Sequence, residues 1–374
     1  MGASFGPSGA YVVDAQTGAR LFSWKGGTPR VLASNTKLFT LGAALARHGP
    51  DATIATQALI EGALDPKGTL DGDLYLRGGG DPAFGSAAYV RSRYGTASGG
   101  TVESLSRELY KAGLRVVRGS VVGDESVFDS RRGGPAEGYA ASGEVEGPLS
   151  ALVYNHGLMS NGYFQTNPPA YAAARMTDAL RSAGVTVKKS ATSGRAPAGA
   201  VELARVESLK MSKLAQLTGT PSDNFFAEEL AKGLGGGSTA GGARSVVRFA
   251  RSRGARVRLF DGSGLSHSDR AAPQDVVRYL MKERSQTEYR ALYNALPIAG
   301  VNGTLVARMR SGPAHKRCRA KTGTLNGVSA LSGFCSSRRG HTIVFSILMN
   351  GVSSLYRAHS LQDQMAQSLA GYSG

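Results

Sequence analysis

Alternating apolar and polar positions open the chain. Gly9-Ala-Tyr-Val-Val-Asp14 and Ala19-Arg-Leu-Phe-Ser-Trp24 predict two strands joined by a turn at Gln16-Thr17-Gly18. From Ser34 to Arg47 the period changes to that of a helix. This run is apolar nearly all round, so the predicted helix is a buried one. Between about residues 56 and 206 the texture is finer, with short strands, glycine-rich turns and helical pieces over 102–112 and 171–183. Helical spacing returns over 210–218, 224–233, 243–253 and 273–283. A hairpin over 318–335, a strand over 341–349 and a helix over 354–370 close the chain.

At 374 residues the chain exceeds one comfortable hydrophobic core, so two domains are expected. The pattern predicts an α/β (α+β) fold in which both ends of the chain build one domain, residues 1–55 and 206–374. Its antiparallel sheet takes strands from the N-terminal and C-terminal hairpins and carries helices on both faces. Residues 56–205 form an inserted, smaller α/β domain. The glycine clusters Gly78-Gly79-Gly80 and Gly235-Gly236-Gly237 lack dinucleotide or phosphate-loop spacing and read as flexible loops.

Charge narrows the partners. Lysine and arginine outnumber acids by 44 to 27, a formal charge of +17, and such a field draws polyanions: nucleic acid, anionic lipid or an acidic cell wall. Nucleic acid is set aside, because no nucleic-acid motif is present, aromatics are sparse and the basic residues are spread along the chain. No stretch approaches the ~20 apolar residues of a membrane span, so no transmembrane segment is expected. Met1-Gly-Ala-Ser-Phe5 has no basic leader with an apolar core, which a mature, processed chain would also lack. The pattern is silent on oligomeric state.

Two cysteines bear on the compartment. Asn326-Gly327 is a strong two-residue hairpin turn. Counting outward, Leu325 faces Val328 and Cys318 faces Cys335, on the closer, non-hydrogen-bonded type of pair. That separation suits a disulfide and an oxidising, extracytoplasmic location. Two free cysteines packed as small apolar side chains are the alternative.

Three short strings carry chemistry: Ser34-Asn35-Thr36-Lys37, Ser222-Asp223-Asn224 and Lys321-Thr322-Gly323, each bounding a predicted element. Ser34 at a helix start places its N–H and the helix dipole where negative charge can develop. Lys37 is one turn on, within reach of the hydroxyl. A serine needs an adjacent base, and a lysine serves near neutrality only if desolvated or beside another cation. Leu38, Phe39 and Leu41 offer the wrapping, and Lys321 the second charge. Ser222 is placed to relay a proton, and Asn224 to hold the substrate amide and Lys37. Lys321 is placed to attract a carboxylate, Gly323 to leave room for a ligand, and the Thr324 N–H to complete an oxyanion hole with that of Ser34. Each string alone also reads blandly: a helix-capping serine before a surface lysine, a helix N-cap, and a basic edge strand. Their joint order favours one acyl-transfer site. His48, His156, His267, His315, His341 and His359 are scattered, without zinc spacing, and no Gly-x-Ser-x-Gly string stands as an elbow between a predicted strand and a predicted helix. No metal or cofactor is called for. Asp261-Gly-Ser263-Gly-Leu265-Ser266 reads as a tight turn near the site.

These strings, with Ala33-Ser-Asn-Thr-Lys-Leu-Phe-Thr40, Gly79-Gly-Asp81-Pro82, Gly123-Asp124, Phe128-Asp129, Asp261-Gly-Ser-Gly-Leu-Ser266, Leu296-Pro-Ile-Ala-Gly300, Gly303-Thr-Leu305 and Ala320-Lys-Thr-Gly-Thr324, resemble the low-molecular-mass class C penicillin-binding proteins, the D-alanyl-D-alanine carboxypeptidase/endopeptidase family. The resemblance covers nearly the whole chain. It implies a penicillin-binding-protein/β-lactamase-like transpeptidase domain and a serine peptidase acting on peptidoglycan stem peptides, with β-lactam antibiotics as covalent inhibitors. By the same resemblance Ser34 is acylated, Lys37 is the base, Ser222 and Asn224 assist, and Lys321-Thr322-Gly323 binds the peptide or the drug. A β-lactamase- or esterase-like hydrolase and a non-catalytic wall-binding module on the same fold are the alternatives.

Two departures from the family pattern stand out. Ser150-Ala-Leu-Val-Tyr-Asn155 runs within a few residues into 168–183, where the family commonly carries a further small β-rich domain, so that third domain is expected to be absent or reduced. The family often places a Trp and an Asp before that point to read the substrate's third residue. This chain has Tyr139, Glu144 and Glu146 there, and its one tryptophan is Trp24.

Overall fold

Asn326-Gly327 reverses the chain in two residues, with Gly327 at φ 69°, a left-handed conformation that glycine adopts without steric cost. Strand Cys318–Leu325 therefore folds back on Val328–Ser336 in the expected register, Leu325 opposite Val328 and Cys318 opposite Cys335. The two cysteines are bonded to each other across a Cα–Cα distance of 4.0 Å, as the closer type of cross-strand pair allows. These features come from a computed structural model that describes residues 6–96 and 98–373. Residues 1–5, where a leader was looked for, lie outside them.

The described residues form two compact units. The first comprises Met1–Pro50, Met211–Ala227 and Thr239–Gly374 in their described parts. Its five-stranded sheet is antiparallel throughout, in the order Cys318–Leu325, Val328–Ser336, Thr342–Asn350, Gly9–Asp14, Arg20–Trp24. The central strands Val328–Ser336 and Thr342–Asn350 are buried almost end to end, because helices cover both faces. On one face Ala358, Ala366 and Ala370 of helix Leu355–Gly371 meet Ala320, Leu331, Phe345 and Ile347. On the other, Pro273–Glu283 packs on the sheet, while Thr36–His48 lies among Met211–Gly219, Thr239–Ser252 and Tyr289–Ala295. Ten consecutive residues of Thr36–His48, from Thr36 to Leu45, are buried, which explains why its apolar surface runs all round. Tyr279 fixes the helix from the side, donating its hydroxyl to the Leu38 carbonyl at 3.0 Å and stacking on Phe39 at 4.6 Å.

The second unit comprises Asp51–Lys210 and Glu228–Ser238. Its mixed sheet runs Thr192–Ser193, Val121–Asp124, Leu74–Gly78, Ala55–Ile60, Val201–Glu207. Helices Val102–Lys111 and Pro168–Ser182 close a core of Leu74, Leu76, Val121, Leu105, Met176 and Leu180. Glu228–Ser238 belongs here for a polar reason. Glu229 accepts the Ser150 N–H at 2.8 Å, and buried Lys232 binds the Asp129 carboxylate at 2.6 Å. Helix Asn224–Leu234 thus begins in one unit and ends in the other. Most helix and strand boundaries fall within a residue or two of the sequence expectation, although helix Thr239–Ser252 starts a full turn early. Helices Ala87–Tyr94 and Tyr289–Ala295 were not anticipated, the first having little amphipathic contrast and the second spanning only two turns.

Replacing both Cys318 and Cys335 with serine is expected to lower the unfolding free energy by about 3 kcal/mol, the order associated with closing a loop of this length. Urea unfolding beside the unaltered chain checks this, and an unchanged midpoint would contradict it.

Candidate functional site

Ser34 occupies a single turn of 3-10 helix, Ala33–Asn35, that feeds helix Thr36–His48. The chain enters it through Ala33 at φ 46°, a conformation that residues with a Cβ rarely adopt. Such a residue stores roughly 1–3 kcal/mol and persists only when its surroundings over-determine it. Here they do. The Leu32 N–H donates to the Asp269 carbonyl at 3.0 Å, and Asn35 Nδ2 donates to the Lys321 carbonyl at 3.1 Å.

Lys37 lies one turn beyond Ser34 and is fully buried. Its Nζ is 3.0 Å from Ser34 Oγ, 2.6 Å from Asn224 Oδ1 and 2.9 Å from the Ser263 carbonyl oxygen. An amide oxygen and a carbonyl oxygen can only accept, so two N–H bonds are committed to Asn224 and Ser263. Another of its contacts is a hydroxyl, which can donate. In its neutral form the lysine therefore aims its lone pair at Ser34.

The Ser222-Asp223-Asn224 string divides its work. Asp223 Oδ1 accepts the Phe226 N–H at 2.8 Å and so caps helix Asn224–Leu234. That frees the Asn224 side chain for Lys37. Ser222, half-buried, sits two residues upstream at φ 72°. The hydrogen bonds thus bring Asn224 onto Lys37, with Ser222 two residues before it in the chain.

Lys321 is fully buried on the edge strand of the sheet and donates to the Thr322 carbonyl at 3.0 Å. Burial first, and then the positive charge of Lys37, hold its ammonium well below the ordinary lysine value. Gly323 packs closely. A Cβ there would lie 2.9 Å from the Leu32 oxygen and 3.1 Å from both Ala33 Cβ and Asn35 Nδ2. The missing side chain thus lets the strand press against the nucleophile turn. Thr322 Oγ1 donates to Thr304 Oγ1 at 2.7 Å, while Thr324 is exposed. Register settles where the backbone points. Leu325 and Val328 flank a two-residue turn and form a hydrogen-bonded pair, so Thr324, Thr322 and Ala320 direct their N–H groups to the outer edge. The Ala320 N–H does so, donating to the Pro297 carbonyl at 3.1 Å.

Tyr139, Glu144 and Glu146 lie in the second unit, where Tyr139 stacks under the Arg131 guanidinium at 4.1 Å. Residues not anticipated at the site are Asn35, Thr304 and, above all, Ser263. The Asp261–Ser266 turn was recognisable, but a main-chain carbonyl leaves no signature in residue type.

The family pattern described as "D-Ala-D-Ala carboxypeptidase 3 (S13) family" matches residues 5–161 and 144–372. The chain is 31% identical to a D-alanyl-D-alanine carboxypeptidase of Actinomadura sp. (strain R39), across 98% of this chain and 82% of that protein. Penicillin binding protein 4 (dacB) from Haemophilus influenzae superposes with a TM-score of 0.82 at 24% identity, covering 98% of this chain and 96% of that one. The same protein complexed with a β-lactam gives 0.77 at 23% identity. The structural likeness confirms the mixed α+β fold.

Lys321→Met removes a buried titrating group, and the sign of its effect follows from the lowered value in the folded chain. The unfolded chain holds the proton more tightly, so folding is penalised at neutral pH, and the penalty shrinks as pH rises toward 10.5. The variant is expected to melt above the unaltered chain at pH 7, with the gap narrowing as pH increases. Thermal melts from pH 7 to pH 10 measure it, and a gap that widens would be the contrary result.

Proposed function

Because the chain belongs to the D-Ala-D-Ala carboxypeptidase 3 (S13) family, we propose that it hydrolyses the D-alanyl-D-alanine ends of peptidoglycan stem peptides through an ester on Ser34. The observation that carries this reading is the Lys37 Nζ held 3.0 Å from Ser34 Oγ while Asn224 and Ser263 take its other hydrogens.

Lys37, as the free amine, takes the Ser34 proton while Oγ attacks the penultimate D-alanine carbonyl. The oxyanion is met by the N–H groups of Ser34 and Thr324, one at the nucleophile turn and one on the open strand edge. A single such donor is typically worth about 3 kcal/mol in the transition state. Lys37, or Ser222 as relay, returns the proton to the departing D-alanine nitrogen. Water then attacks the ester, with Lys37 again accepting a proton, and restores Ser34. Lys321 serves twice: it keeps a second positive charge beside Lys37, which favours the unprotonated amine in the pair, and it draws the substrate's terminal carboxylate. Thr322 and Gly323 set the strand along which the substrate lies. A penicillin enters the same way, but its ring nitrogen stays tethered, which makes the ester long-lived.

The disulfide and a wall substrate favour an extracytoplasmic site of action. Among the described residues no helix is long and apolar enough to cross a membrane. The charge of +17 suits work beside an acidic polymer. The inserted domain, 56–205, is read as the single insertion here, with the family's third domain absent or reduced. In support, the family pattern matches in two stretches that overlap at 144–161, and the Actinomadura alignment runs over 455 positions against 374 residues here.

Fluorescent penicillin is expected to label the unaltered chain stably, with mass spectrometry locating the adduct on Ser34, and to leave Ser34→Ala unlabelled. A dipeptide-terminated stem peptide should release free D-alanine at a rate that Lys37→Met lowers by at least ~10²-fold, the usual scale for removing a general base. Rapid turnover of the drug would favour a β-lactamase-like activity, and no adduct a binding module.

A further inference from the structure

The turn that offers its Ser263 carbonyl to Lys37 is pinned by two buried acids which the chemistry above leaves unused. Asp261 and Asp269 are almost wholly inaccessible, at 1% and 0% exposure. Asp261 Oδ1 accepts the Gly264 N–H and Oδ2 the Ser266 N–H, each at 2.7 Å. Asp269 Oδ1 accepts the Phe260 N–H at 2.8 Å, and its Oδ2 the Thr36 hydroxyl at 3.1 Å. The two acids lie near enough for the charge of Asp261 to bear on Asp269. Thr40 adds a second tie to the same helix, donating to the Gly262 carbonyl at 2.7 Å. The fit is close, since a Cβ on Gly264, which stands at φ 87°, would come within 2.0 Å of the Ala33 oxygen.

Counting donors fixes the protonation. Both oxygens of Asp261 receive main-chain N–H groups, which can only donate, whereas one partner of Asp269 is the Thr36 hydroxyl, which can turn to accept; of the two acids, Asp269 is the one with room for a proton. Burial, and next the charge of Asp261, push the Asp269 carboxyl well above the ordinary range, in keeping with that count.

We propose that Asp261, as carboxylate, and Asp269, as neutral acid, act as positioning residues for Lys37, locking the 260–269 turn onto Thr36 so that the Ser263 carbonyl holds the amine on line with Ser34. The inference rests on the acyl-enzyme reading and adds to it a defined assignment of charge. An asparagine at 269 can accept from Phe260 with its oxygen and direct its NH2 to Thr36, whose hydroxyl turns to accept, so it can stand in for the neutral acid. An asparagine at 261 cannot, because its amide NH2 would face a main-chain N–H, donor against donor.

The test measures acylation by fluorescent penicillin in the full chain, recording the rate per reactive site separately from the fraction of chains that finally react. Asp269→Asn is expected to keep the rate within about threefold, whereas Asp261→Asn falls about 100-fold with its final labelled fraction intact, the scale of an ångström-level misplacement of a catalytic group. A general loss of structure would lower the labelled fraction instead. Asp261→Asn reacting at the normal rate, or Asp269→Asn slowing as far as Asp261→Asn, overturns the proposal. Should Asp261→Asn not fold, Asp269→Ala takes its place beside Asp269→Asn: slow alanine with normal asparagine supports the pair, and equal rates refute it. Absence of label on the unaltered chain counts against the acyl-enzyme reading and the pair together. Normal labelling there with an unaffected Asp261→Asn counts against the pair alone.

Discussion

A lysine amine buried among three oxygens governs this molecule. Lys37 has no solvent to share its hydrogens, so each contact of its Nζ fixes what the others can be. Two of its partners accept only, and another is an alcohol. The surrounding structure is arranged to keep that geometry. Asp223 rather than Asn224 caps the following helix, Ala33 is held in an unfavourable conformation, and a glycine replaces any side chain between strand and turn. A second buried lysine raises the electrostatic cost of an added proton.

Long-range assembly makes this possible. Ser34 stands near the start of the chain and Lys321 near its end, yet residues on either side of Ser34 touch the Lys321–Gly323 strand. The antiparallel sheet performs the closure, because strand Gly9–Asp14 pairs with Thr342–Asn350 and brings both termini of the first unit into one layer. The Asn224 contact comes from a third segment, helix Asn224–Leu234, whose far end is committed to polar partners in the second unit.

Much of this was legible in residue order, and the parts that were not share a cause. Asn326-Gly327 predicts the hairpin, its register predicts the cysteine pairing, and the apolar circumference of 34–47 predicts a buried helix. Side chains with distinctive chemistry, Ser34, Lys37 and Asn224, were therefore found. What escaped was carried by main-chain atoms or by space. The Ser263 carbonyl could belong to any residue. The reason for Gly323 depends on a turn nearly three hundred positions away. The change of allegiance at Glu228 falls inside an unbroken helical period, where amphipathic spacing continues regardless of which core receives it.

The edge strand that carries Lys321 is open over a short length only. At Ala320 its N–H is already engaged by Pro297, and at Cys318 its carbonyl is engaged by the Ala299 N–H, so a crossing segment occupies that margin. Beyond it, the outward main-chain groups are those of Thr322 and Thr324, about 7 Å apart along the strand. An extended guest laid against this margin meets a wall after two rungs. The fold thus leaves an extended guest only a brief stretch of main chain to pair with on that margin.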